Sequence, residues 1–121
     1  MTDNHSEKSE SGSKKMAVDF LQLVISGKID EAYEKYVAMQ GKHHNPYFPA
    51  GFPALKKAMK ENHEQFPDKG FDIEHVIAEG SMAAVHSRLS MGAQQLMVVH
   101  LFRFENGKIV EMWDIAQELP A

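Results

Sequence analysis

Two segments near the C-terminus each place one acid–base side chain among apolar neighbours at strand spacing. In "VVHLFRF", His100 shares a period-two face with Val98 and Phe102, and in "VEMWDIAQ", Asp114 shares one with Met112. A strand buried on one face normally keeps its polar residues on the other, and aspartate is a poor strand former. A lone polar group on an apolar face indicates either a pocket or a polar side chain satisfied inside the core.

The chemistry that these two side chains can perform is proton transfer. A carboxylate can remove a proton from a carbon next to a carbonyl, and burial would raise its pKa above the usual value of about 3.9 and strengthen it as a base. A neutral imidazole can donate a hydrogen bond to an enolate oxygen or relay a proton. We expect Asp114 to be the base and His100 the donor or relay. The alternatives are a turn-capping aspartate and a core histidine satisfied by a neighbour.

A further group of candidates lies in "GKHHNPYFPAG", residues 41–51, between two predicted helices. His43 and His44 are adjacent, so in an extended chain they point to opposite sides. We take His44 as the histidine that faces a pocket, with Tyr47 and Phe48 as an apolar lip that binds substrate. The alternative is that the prolines and aromatic residues only close a structural corner.

"AAVHSRLSM" contributes His86 and Arg88, which point together because they are two residues apart in a predicted strand. Spacing alone favours solvent for this pair, and a polar pocket is the alternative. Metal binding is a rival function, since His44, His86, His100 and Asp114 are all ligand types for zinc or iron. No His-x-His or His-Glu-x-x-His spacing supports it, so we expect neither a metal nor another cofactor.

Three helical segments are expected to precede the strands. Apolar spacing predicts helices over residues 15–27, over 30–37 with Asp30 as the N-cap, and over 53–66 with Pro53 in the first turn. The segment between the second and third helices is predicted to be a loop or a very short strand, because a proline disfavours helical geometry in the residue before it.

The apolar period changes to two from Phe71 onward, which predicts strands. Four strand segments, "FDIEHVIAE", "MAAVHSRLSM", "QQLMVVHLFRFE" and "KIVEMWDIAQ", are separated by Gly80-Ser81, Gly92-Ala93 and Asn106-Gly107. Asn-Gly between apolar runs is a strong hairpin signal. Helices followed by an antiparallel meander predict an α+β fold with helices on one face of a curved sheet.

Composition indicates a single domain and narrows the function. The chain has 121 residues, no cysteine and a net charge of −4 without a basic stripe, so nucleic-acid binding is not expected. No apolar run is long enough for a membrane span, and no signal peptide is evident. We expect a disordered N-terminal tail over residues 1–14, one domain over residues 15–121, and a cytoplasmic location.

The residues from Val98 to Gln117, "VVHLFRFENGKIVEMWDIAQ", together with "HNPYFPAG" and "VHSR", resemble SnoaL-like polyketide cyclases of the nuclear-transport-factor-two-like superfamily. The resemblance covers the chain from about Lys15 onward. It implies a cone-shaped α+β barrel, in which three N-terminal helices pack on a strongly curved, mainly antiparallel sheet that encloses a cavity. It also implies aldol chemistry without a metal, with a pocket carboxylate at Asp114.

The resemblance also bears on other candidate residues and on two positions at which this chain differs from many relatives. It favours the pocket for His86 and Arg88, and for His44. Met112, which we expect to contact substrate, stands where many relatives carry a histidine. His100 stands where many carry an acidic residue. Because these departures affect the expected chemistry, a binding module without catalysis is the alternative function.

We therefore expect a small enzyme of the lyase or isomerase type that enolises a hydrophobic small-molecule carbonyl compound. The resemblance also implies pairing through the outer face of the sheet. Independent support for a homodimer comes from five apolar residues on the faces opposite the expected pocket, where a monomer would leave them exposed. These residues are Met97, Val99, Leu101, Trp113 and Ile115.

Overall fold

The computed structural model describes residues 3–45 and 51–120. Within this part of the chain, three helices and five strands follow one another. They are α1 (Asp3–Ile25), α2 (Ile29–Tyr36), β1 (Val37–His44), α3 (Phe52–Gln65), β2 (Gly70–Glu79), β3 (Met82–Met91), β4 (Gln94–Glu105) and β5 (Lys108–Glu118). None of the described helices is both long enough and apolar enough to cross a membrane.

All five strands form one mixed sheet in the order β1-β5-β4-β3-β2. Strands β2 to β5 are the expected antiparallel meander, and the α+β class is confirmed. The sheet curls around the helices, but β1 and β2 remain its two edges among the described residues, so it is not a closed barrel. At the β4–β5 hairpin, Asn106 and Gly107 have φ angles of 52° and 76°, as the Asn-Gly turn predicts.

The first strand is the main departure from the predicted elements. We expected helix to residue 37 and then a loop or a very short strand, whereas β1 has eight residues and runs parallel to β5. Its register shifts between Val37, which pairs with Ile109, and Lys42, which pairs with Glu111. At this irregularity a Cβ on Gly41 would lie only 2.4 Å from the Val110 carbonyl oxygen, so the strand packs closely on β5. A partner distant in sequence stabilises this strand.

The start of the first helix also differs from the expected position. Helix α1 begins at Asp3 rather than near residue 15. Glu10 accepts a hydrogen bond of 3.1 Å from the Gly80 backbone N–H, and the buried Ser13 hydroxyl donates one of 3.1 Å to the Gly80 carbonyl. These contacts attach the beginning of α1 to the β2–β3 turn.

The core lies between the helices and the concave face of the sheet. The expected apolar stripe of α1 is buried, and Phe20 packs edge-on against Phe102 of β4 with ring centroids 5.8 Å apart. Asp30 does not cap α2, because the N-cap position is Lys28 and no side chain makes the cap hydrogen bond. Asp30 instead forms ion pairs with Lys56 and Lys60 of α3, at 3.1 and 2.7 Å.

Candidate active site

Asp114 lies on the concave face of β5, and its side chain is only 11% exposed. Its Oδ2 atom is 2.9 Å from His43 Nε2 and accepts a second hydrogen bond of 2.8 Å from the Asn45 amide. His100 Nε2 is 3.8 Å from the other carboxylate oxygen, Oδ1. One carboxylate is thus held by two side chains at one oxygen and faces an imidazole at the other.

Strand pairing brings these groups together. His100 of β4 is directly opposite Asp114 of β5 in the antiparallel register. His43 of β1 is opposite Met112 in the parallel register, and both are buried. Because β1 and β4 flank β5, the two histidines approach Asp114 from opposite sides.

The hydrogen bonds control the ionisation of Asp114. Burial is the largest single influence and acts to raise the pKa, but the hydrogen bond from His43 opposes it, together with the charge that His100 can carry and the Asn45 hydrogen bond. The result is a pKa below the ordinary value of 3.8. The expectation that burial would raise the pKa of Asp114 is therefore wrong, because its partners stabilise the ionised form.

His100 responds in the opposite sense to its surroundings. Burial lowers its pKa below the ordinary value of 6.5, and the repulsion from His43 acts in the same direction, while the Asp114 carboxylate only partly opposes them. The ring lies parallel to Phe102, with centroids 6.1 Å apart, and 6.3 Å from Phe71. His100 is therefore a neutral imidazole at neutral pH, able to donate one hydrogen bond and accept another.

Several buried polar atoms near this carboxylate have no hydrogen-bond partner among the described residues. They include His43 Nδ1, His100 Nδ1 and Asp114 Oδ1, with the Tyr33 hydroxyl and Ser87 Oγ in the same core. Burial, followed by the negative charge of Asp114, raises the pKa of Tyr33, so its hydroxyl keeps its proton. Of these residues, His100 and Asp114 line the adjoining cavity, so their unpaired atoms are the ones nearest to a bound molecule.

A cavity of about 390 Å³ opens beside the carboxylate, within the usual size range of small-molecule sites. Asp114, His100 and Asn45 contribute to one part of its wall. Most of the remaining wall is apolar and comes from α1, α3 and strands β2 to β5. Its apolar residues include Leu21, Met59, Phe71, Leu89, Leu96 and Val98.

The structure brings Asp114 and His100 together as expected, but it reverses the choice between the adjacent histidines. His43 is the inward residue, with a side chain that is 0% exposed. His44 points to the outer face, where its side chain is 48% exposed, lies 2.8 Å from Glu111 Oε2 and stacks on Trp113. The expectation that His44 faces the pocket is wrong, because the pairing of β1 with β5 turns the odd-numbered residue inward.

His86 and Arg88 are also outside the cavity. The buried residues of β3 are Ala83, Val85 and Ser87, so the alternate residues face outward. His86 Nδ1 is 3.0 Å from His75 Nδ1, and Arg88 donates to Gln95 and lies 3.6 Å from Glu74. The prediction from strand spacing is confirmed, and the pocket placement implied by the resemblance is wrong.

The remaining expected contacts have different outcomes. Met112 is buried in the core on the concave face, opposite His43, but it does not line the cavity. Tyr47 and Phe48 lie outside the described residues. Among the residues that the structure describes, no group of three or more His, Cys, Asp or Glu side chains is arranged to hold a metal ion.

Two residues of the site, His43 and Asn45, were not among those predicted. Both are in the His-His-Asn-Pro segment, and adjacent histidines in a strand offer two opposite faces. The sequence contains no local signal that selects the inward one. The selection depends on β1 pairing with β5, which is a contact between residues about 70 positions apart.

Helices packed on a curled five-strand sheet with an internal cavity define the nuclear-transport-factor-two-like fold. A model of the SnoaL-like domain matches residues 17–112, which is most of the chain, and the protein belongs to this family. No curated protein sequence matches the chain significantly.

Solved structures share the fold at low sequence identity. A protein from Kribbella flavida assigned as a ketosteroid isomerase has 17% identity and a TM-score of 0.75, over 93% of this chain and 83% of that one. One from Acidithiobacillus ferrooxidans assigned as a polyketide cyclase has 23% identity and a TM-score of 0.71, over 88% of each chain. An epoxide hydrolase from M. tuberculosis has 15% identity and a TM-score of 0.72, over 89% and 84%. At these identities the likeness defines the fold alone.

Proposed function

We propose that the protein is an acid–base enzyme that enolises a small carbonyl compound in this cavity, leading to isomerisation or to aldol condensation. The observation that carries the proposal is the buried Oδ1 atom of Asp114. It has no hydrogen-bond partner among the described residues, and His100 lies 3.8 Å from it in a largely apolar cavity. A base and a hydrogen-bond donor side by side are the groups that enolisation requires.

In this mechanism the two carboxylate oxygens have separate tasks. His43 and Asn45 hold Oδ2, which leaves Oδ1 to take a proton from the carbon next to the substrate carbonyl. The C–H electron pair moves to form the enolate, and neutral His100 donates a hydrogen bond to its oxygen. For isomerisation, Asp114 then returns the proton to another carbon. For aldol closure, the enolate carbon attacks a second carbonyl carbon, the C=O electron pair moves to its oxygen, and Asp114 gives the proton to the resulting alkoxide.

The low pKa of Asp114 limits the range of substrates that the protein can enolise. A carboxylate whose hydrogen bonds stabilise the ionised form is fully available at neutral pH but is a weak base. We therefore propose a substrate whose C–H bond is already acidified, for example by two flanking carbonyl groups. The apolar wall favours a hydrophobic compound.

The test is proton exchange at such a carbon. Purified protein in D₂O is incubated with a panel of hydrophobic 1,3-diketones, and deuterium incorporation is followed by NMR against the buffer rate. For any compound whose exchange the protein accelerates, we expect Asp114→Asn to reduce the rate about 10²- to 10⁴-fold. His44→Gln, on the outer face, is the matched control and should keep the rate. Unchanged exchange in a folded Asp114→Asn variant removes Asp114 from the mechanism.

A second candidate function is ligand binding without chemistry. Its supporting observation is the pair of hydrogen bonds from His43 and Asn45 to Asp114, because a carboxylate held in this way can serve as a fixed polar contact for a ligand. Native mass spectrometry of the purified protein tests this candidate. A bound small molecule that stays chemically unchanged on incubation supports binding, whereas its conversion supports the enzyme.

We also propose that two copies pair through the outer face of the sheet. Supporting residues are Ile115, which is 58% exposed, and the partly exposed Trp113, Leu101 and Val99. The β4–β5 register places Leu101 opposite Trp113 and Val99 opposite Ile115, so these side chains form one apolar surface. Pairing would remove that surface from water.

A further inference from the structure

The cavity contains a basic residue, Lys69, at a distance from the carboxylate. Lys69 directly precedes β2, whose first residue Gly70 pairs with Ser90 at the end of the sheet that also holds Glu118 of β5. Glu118 is four residues beyond Asp114, or about 13 Å at 3.3 Å per residue. Lys69 and Asp114 thus line the same cavity, and Lys69 belongs to the sheet end that Glu118 also occupies.

The Lys69 ammonium group has no carboxylate within ion-pair distance among the described residues. Its Nζ donates a hydrogen bond of 2.6 Å to Asn62 Oδ1, and the Asn62 amide is directed towards Met91 Sδ at 3.6 Å. Burial lowers the pKa of Lys69. An ammonium has three donors, so two remain for a ligand after the bond to Asn62.

The lysines that form ion pairs in the described structure have surroundings different from those of Lys69. Lys35 faces Asp19, while Lys56 and Lys60 both face Asp30, all at 3.3 Å or less. These pairs are on the surface, where water screens the charge. Lys69 instead lines a mostly apolar cavity, where a cation without a counter-ion is unfavourable and a matching anion is favoured.

We infer that the cavity binds an amphipathic anion with one negative group, a carboxylate, whose oxygens accept hydrogen bonds from Lys69 while its apolar body extends along the sheet towards Asp114. A single charge fits because Lys69 is the one lysine or arginine that lines the cavity within the described chain, and Glu118, which also lines it, repels additional negative charge. With the proposed function, the substrate is an oxo acid whose reacting carbonyl lies several carbon atoms from the carboxylate. The identity of the substrate as an oxo acid rests on the proposed function, whereas the anion-binding site at Lys69 does not depend on it.

The experiment compares two probes of nearly equal shape, 2-naphthoate and neutral 2-naphthamide, by calorimetric titration of the full chain. We expect the wild type to bind 2-naphthoate about 10- to 100-fold more tightly, as a charge-assisted hydrogen bond predicts. Lys69→Met should remove this preference and still bind the amide. Lys69→Arg should retain it, and Glu118→Gln should strengthen naphthoate binding.

Equal affinity of the wild type for both probes overturns the inference, as does a naphthoate preference that survives in Lys69→Met. Absence of naphthoate binding at millimolar concentration also overturns it. Asp114→Asn serves to separate this inference from the proposed function, because it should abolish proton exchange yet keep the preference for naphthoate. Exchange by the wild type without any naphthoate preference would leave the proposed function intact and remove only the anion site.

Discussion

Two histidine–carboxylate pairs with nearly the same distance lie on opposite faces of the same two strands. On the concave face, His43 is 2.9 Å from Asp114, with side chains 0% and 11% exposed. On the outer face, His44 is 2.8 Å from Glu111, with side chains 48% and 18% exposed. In both pairs the hydrogen bond from histidine helps to lower the pKa of the carboxylate.

Their environments give the two pairs different roles. Glu111 also accepts hydrogen bonds from Arg103, at 3.2 and 3.3 Å, and His44 stacks on Trp113. That pair has additional partners and access to water, so it can lose one partner and be resolvated. The inner pair is enclosed by apolar residues, where a carboxylate that loses its partner remains desolvated. Distance alone therefore does not measure the importance of an ion pair.

The largest expected effect is a difference in protein stability between a variant of the inner pair and a variant of the outer pair. His43→Leu leaves the buried Asp114 carboxylate without its hydrogen bond from His43, so we expect the free energy of unfolding to fall by about 3–5 kcal/mol. His44→Leu is the matched substitution one residue further along, and we expect little change, because water and Arg103 compensate. Urea denaturation of both variants at pH 7 measures the difference.

A double variant tests whether the uncompensated charge of Asp114 causes this loss of stability. In His43→Leu/Asp114→Leu the uncompensated charge is gone, so the double variant should be more stable than His43→Leu alone. Equal destabilisation by His43→Leu and His44→Leu would contradict the distinction between the inner and outer pairs.

The second prediction concerns the pH dependence of stability. The pKa of His100 is lower in the folded state than its ordinary value of 6.5, so between these values the unfolded state binds more protons. The free energy of unfolding should therefore decrease as the pH falls below about 6.5, by at most about 1.4 kcal/mol per pH unit from this residue. Urea denaturation at pH 5 to 8 measures the slope.

His100→Phe provides the comparison, because the ring lies near Phe71 and Phe102 and a phenyl ring can occupy a similar space. It should flatten the dependence between pH 5 and 6.5. Asp114 acts in a separate window: its folded pKa is below 3.8, so its contribution is present above that value and lost in stronger acid. An unchanged slope in His100→Phe would show that another group titrates.

Substitutions on the outer face should have the smallest effect on the free energy of unfolding. Their effect should appear instead in the molecular mass of the assembly. Ile115→Glu introduces a charge into the proposed contact surface without altering the cavity, so we expect a dimer to become a monomer. Light scattering at micromolar concentration measures this directly. Ile77→Glu, an equally exposed isoleucine on β2, is the control and should leave the mass unchanged. A wild-type mass of one chain would refute the proposed dimer.

Periodicity predicted much of the fold because its signals are local. The meander from β2 to β5, its turns and the core stripe of α1 follow from spacing and turn residues, and all are confirmed. The position of Asp114 and His100 on the concave face also followed from the alternation of their strands. Strand spacing favoured solvent for His86 and Arg88 as well, and the resemblance to relatives led away from that result.

Alternation at period two fixes which face of β3 and of β4 turns inward, because their apolar side chains can be buried in only one way. In β2 a register shift interrupts the alternation, so that Ile77 is exposed and Val76 packs against the core. Long-range pairing makes β1 a strand, brings His43 rather than His44 to Asp114, and lowers the pKa of the carboxylate. The physical reason is the same in each case. Local sequence does not distinguish two adjacent histidines, and the ionisation of a buried acid depends on partners that only a parallel pairing across about 70 residues brings within hydrogen-bond distance.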